Sequence, residues 1–75
     1  MARATIKIAN GDRNFRENMA ELFRGRACVE FATVVVDGKA IHTDYPPHPH
    51  PGGFLEFNGW RYELDRVSSV AYYLK

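Results

Sequence analysis

The chain reads as an α+β domain in which one amphipathic helix packs on a strongly curved antiparallel sheet or small partly open β-barrel, in the order β-α-β-β-β-β-β. Three observations predict this. One stretch, Asn14 to Gly25, carries apolar residues at helical spacing; most of the rest alternates with a two-residue period; and Asp37-Gly38 and Asn58-Gly59 sit where hairpins must reverse.

The first strand is "ATIKIAN", with Ile6 and Ile8 on one side and Thr5 and Lys7 on the other, stopped by Asn10 and Gly11. In "NFRENMAELFRG" the period changes. Phe15, Met19, Leu22 and Phe23 stack on one helix face, and Arg13, Glu17, Glu21 and Arg24 share the opposite one. Asn14 with Glu17 suits a variant capping box, and Gly25 suits the left-handed position past the helix end.

"CVEFATVVVDGKAIHTDY" supplies the next hairpin, with two possible registers. A two-residue Asp37-Gly38 turn faces Val34 to Ile41 and sets Val29, Phe31 and Val35 on the side opposite Ile41 and Tyr45, which splits the apolar face. A three-residue loop Val36-Asp37-Gly38 pairs Val35 with Lys39 and gathers Val29, Phe31, Thr33, Ile41, Thr43 and Tyr45 together. The second register is therefore expected. It also opposes Glu30 to Asp44 and His42 to Ala32, a like-charge pair that calls for a neighbouring cation or open solvent.

In "GFLEFNGWRYEL" the Asn58-Gly59 turn pairs Phe57 with Trp60 and Leu55 with Tyr62 on one face, and Glu56 with Arg61 on the other. Gly59 must take a positive φ there, whereas Gly52 lies in a loop with several compatible conformations. The last strand sets Val70, Tyr72 and Leu74 on one side. A hairpin, a tight turn and a final strand look like the end of small SH3-like or Sm-like barrels, a similarity of architecture without a motif.

Seventy-five residues, 45% hydrophobic and 25% charged, make a single folded domain over 1–75, too small for a deep enclosed cleft. Function should sit on a surface. No apolar run has signal-peptide or membrane-spanning length, and Cys28 is the single cysteine, so a cytoplasmic setting without membrane contact is expected. Residues 1–26 carry six Lys/Arg against three Asp/Glu, and the remainder four against six. The charge asymmetry hints at electrostatic partner choice.

"HTDYPPHPHPGG", 42–53, holds all four prolines and all three histidines. His42, Asp44, His48 and His50 have the donor atoms of a zinc site, but alternating prolines favour polyproline II, in which residues two apart diverge. The expectation is a stiff exposed crossover, with no metal and no cofactor. Catalysis is not expected either. Cys28 and His42 fall on the order of 13 Å apart by strand rise, and neither Walker A, G-x-S-x-G nor HExxH occurs.

Two binding readings remain. Arg13, Arg16, Arg24 and Arg26 on or beside the helix, with abundant strand aromatics, are ingredients of an RNA- or DNA-binding small barrel, but Glu17 and Glu21 interrupt the basic face. The favoured reading is a non-enzymatic binding protein, an inhibitor or regulator that contacts a protein partner and forms a homodimer. Tyr45, His48, His50, Phe54 and Tyr73, with Arg13, Arg16 and Arg24, are the candidate contact residues. In size the chain is similar to the small inhibitors and host-takeover proteins that phages encode, a similarity that covers no motif.

Overall fold

A computed structural model describes residues 4–75 of the chain. The elements are β1 (Thr5–Ala9), α1 (Phe15–Arg24), β2 (Val29–Val36), β3 (Lys39–Thr43), β4 (His48–His50), β5 (Phe54–Phe57), β6 (Trp60–Glu63) and β7 (Val67–Leu74). Single 3-10 turns, Arg26–Cys28 and Leu64–Arg66, precede β2 and β7. The α+β class holds. The strands form two antiparallel sheets, β1-β7-β2-β3 and β4-β5-β6, and do not close into a barrel.

One core joins the layers. The four-stranded sheet turns Ile8, Ala32, Val34, Val36, Val70 and Tyr72 inward; α1 adds Phe15 and Met19, and β5 adds Leu55 and Phe57. Helical spacing in α1 and two-residue spacing in the strands account for this selection. The three-stranded sheet also covers the core, with Tyr62 packed against Leu55 and Phe57. Among the described residues, no helix is long and apolar enough to cross a membrane.

The β2–β3 hairpin takes the register that the sequence reading rejected. Val36 pairs with Lys39 and Val34 with Ile41, around a two-residue turn with positive φ at Asp37 (51°) and Gly38 (80°). The cause lies upstream of the turn. Against β7, the register of β2 slips between Val29 and Phe31, so Val29 shares the core with Ala32, Val34 and Val36 while Phe31 faces away. Alternation counted straight through this bulge puts the wrong face inside. Consequently His42 lies opposite Thr33, and the proposed pairing of Glu30 with Asp44 is overturned.

The proline-rich stretch is also corrected. His48–His50 is a strand, β4, which the expected order lacked, paired on one side to β5; Pro49 is tolerated because an edge strand need not donate from every residue. Pro46 and Pro47 are buried and anchor the approach to it. Gly52 and Gly53, which follow, both hold positive φ (93° and 83°), so this loop is as conformationally selective as the Asn58-Gly59 turn.

The second hairpin follows expectation, with Phe57 opposite Trp60, Leu55 opposite Tyr62 and Glu56 opposite Arg61. Trp60 nevertheless overhangs the core edge and is 69% exposed. Two local signals did not act as expected. Asn14 makes no side-chain cap on α1; Asp12 instead accepts a hydrogen bond from the Ala9 amide through Oδ2 and one from the Phe15 amide through its carbonyl. Gly25 has φ −90° rather than the left-handed conformation and leads into the 3-10 turn, where Cys28 is exposed.

Three polar ties join the pieces. The Asn10 side-chain amide donates to the carbonyls of Leu64 (3.1 Å) and Val67 (2.7 Å), holding the end of β1 to the turn before β7. The Asn58 amide donates to the His42 carbonyl (2.9 Å), linking the two sheets. The Arg66 guanidinium grips the Asp37 carboxylate; this hydrogen bond holds the carboxyl below its ordinary pKa and raises that of Arg66.

Candidate functional site

Two surfaces bring chemistry-bearing side chains together, and both follow from strand periodicity. The first is the outer face of the four-stranded sheet. Because Ala32, Val34 and Val36 on β2 and Val70 and Tyr72 on β7 point inward, Phe31, Thr33 and Val35 on β2 and Ser69, Ala71 and Tyr73 on β7 point outward, half-buried. Lys7 on β1 and His42 on β3 flank them.

Phe31 and Tyr73, directly opposite each other on the two central strands, stack with centroids 4.5 Å apart and planes 18° from parallel. The His42 ring stands 5.1 Å from Phe31, and its Nε2 is 2.8 Å from Asp44 Oδ1. One of the predicted contact residues, Tyr73, sits in an aromatic row that sequence reading missed, because the expected three-residue-loop register had turned Phe31 inward.

The second surface lies on the three-stranded sheet. Residues two apart on a strand share a face, so His48 and His50 project together, and the β4–β5 register sets Glu56 opposite His48 and Phe54 opposite His50. The imidazole centroids are 4.2 Å apart. This corrects the expectation that the two histidines diverge, which assumed polyproline II where the chain is in a β ladder. Phe23 of α1 stacks on His48 at 4.2 Å with planes 6° from parallel, and the Arg26 guanidinium covers the Phe23 ring at 4.8 Å.

His50 Nε2 and Glu56 Oε1 are 2.6 Å apart. That hydrogen bond, above all, with the nearby imidazoles and Arg61, holds the Glu56 carboxyl below the usual glutamate pKa, against a smaller opposing effect of burial. Glu56 was not among the predicted site residues. Its position became legible only with β4, and the alternation of "HPH" was the signal that could have found it.

The other predicted residues scatter. Tyr45 is 72% exposed and shares a groove with Arg24, Glu30 and Asp44 at the end of β3. Arg16 lines a shallow depression with Glu17, Pro49 and His50. Arg13 is exposed in the turn before α1. His42 and Asp44 pair with each other on the four-stranded sheet, apart from the His48–His50 cluster, so the four histidine-region donors do not form one group. α1 packs on the inner side of that sheet; Arg16 lies beside Pro49 and His50, whereas Arg24 reaches the groove at the sheet's end.

No protein-family model matches the chain, and no match to it was found among curated proteins or solved structures.

Proposed function

We propose that the chain acts without catalysis, as a small cytoplasmic binding protein that inhibits or regulates a protein partner through the outer face of its four-stranded sheet. The observation that carries this reading is the Phe31–Tyr73 stack on the two central strands, in an outward row of half-buried side chains with Thr33, Val35, Ser69 and Ala71. Paired aromatics offer large contact area at low entropic cost, and the small side chains of Thr33, Ser69 and Ala71 beside them let a partner's backbone approach. A phage-type inhibitor fits this reading by size.

Nucleic acid is the competing partner. A groove that tracks a phosphate backbone needs its cations beside its stacking platforms. Here Arg16 lies beside Pro49 and His50, and Arg24 shares its groove with the acidic Glu30 and Asp44, so the helix cations do not form a basic track along the stacked rings, which favours protein. A homodimer would use the same face, two sheets packing about 10 Å apart as in a sandwich.

Capture from lysate on the immobilised chain, with and without nuclease, tests the partner class, and light scattering over a concentration series tests self-association. A protein retained after nuclease treatment supports the reading. Retention abolished by nuclease would replace it with the nucleic-acid one.

A further inference from the structure

We propose that His48, His50 and Glu56 form a three-ligand site for zinc, with the fourth coordination position open to water or to a donor from a partner. The donor set consists of two imidazole nitrogens and one carboxylate oxygen, and these atoms all lie within 4.8 Å of one another. Zinc bonds to such donors at about 2.0–2.2 Å, which for a tetrahedral ion puts neighbouring ligand atoms roughly 3.4 Å apart. The His50–Glu56 pair, now 2.6 Å apart, must open slightly, and no pair need close by more than about 1.4 Å. Side-chain torsions can supply shifts of this size without moving the strands.

The framework behind the ligands is rigid where it matters. His48 and Glu56 are held opposite each other by the β4–β5 ladder, and His50 shares the His48 face through strand periodicity. Phe23, stacked nearly parallel on His48, fixes that ring plane from the helix side. The three ligands are half-buried, so the ion would lose only part of its water. Imidazole nitrogen selects zinc and its transition-metal neighbours over calcium and magnesium, which favour all-oxygen sites.

The consequence is mechanical. β4 has three residues, its central proline cannot donate a hydrogen bond, and it is the outer strand of its sheet. An ion ligated from β4 and β5 would clamp this edge in place, and it would leave an open position beside the Arg16–Glu17 depression. This inference does not depend on the sheet-face reading.

Tag-free full-length protein titrated with zinc chloride alone, followed by calorimetry and equilibrium dialysis, is the test. One equivalent should bind, with loss of affinity of more than about tenfold in His50→Gln and in Glu56→Gln, and no change in His42→Ala, whose ring lies on the other sheet. Cobalt substitution of the wild type should give the intense visible bands of a four-coordinate ion. Because the wild-type cobalt spectrum and stoichiometry need no variant, the proposal remains testable even if one substitution disturbs folding. Substoichiometric binding, a six-coordinate cobalt spectrum, or affinity retained in both ligand variants would overturn it.

Discussion

Tyr72 is the residue whose environment carries the clearest energetic statement. Its ring is fully buried in the core, and its hydroxyl has no hydrogen-bond partner among the described residues. Burial pushes the phenol above its ordinary pKa, because an anion there would be poorly solvated. A buried donor without a partner costs about 1–3 kcal/mol. Tyr72→Phe removes that cost and keeps the ring, so urea unfolding should show a stability gain of about 1 kcal/mol. A loss of similar size would mean that the hydroxyl is satisfied.

Among the elements, β2 shows where sequence periodicity is ambiguous. Both of its faces are apolar, Ala32, Val34 and Val36 on one and Phe31 and Val35 on the other, so alternation alone cannot choose between them. The choice is made by the slip at Val29/Phe31, which arises from pairing with β7, far along the chain. In contrast, α1, the Asn58-Gly59 hairpin and the inward set of β7 were legible because pattern and turn chemistry there pointed the same way. Val34→Ala should cost about 2 kcal/mol by lost burial and the cavity left behind, and Val35→Ala well under half of that. The reverse order in thermal unfolding would restore the three-residue loop. At the β4–β5 connection, Gly52→Val should destabilise as much as Gly59→Val, about 1–3 kcal/mol each, because both positions hold positive φ. A silent Gly52→Val would show that the loop has other accessible conformations.

At the scale of the whole molecule, the layering decides which residues can act together. The helix and the outer aromatic residues were both legible as residue types, but the placement of Phe31 and Tyr73 on the sheet face away from α1 depends on which face of β2 is buried, and that was not legible. The histidine cluster was hidden for a related reason: "HPHP" suits polyproline II locally, and only pairing with β5 makes it a strand. On the proposed function, partner contact runs through the outer face of the four-stranded sheet. Capture from nuclease-treated lysate should be compared for three immobilised forms: wild type, Thr33→Arg at the centre of that face, and Arg16→Glu with Arg24→Glu on the helix. Circular dichroism should confirm that each is folded. The account predicts that Thr33→Arg loses the retained protein while the helix variant keeps it; retention by Thr33→Arg with loss in the helix variant would contradict it.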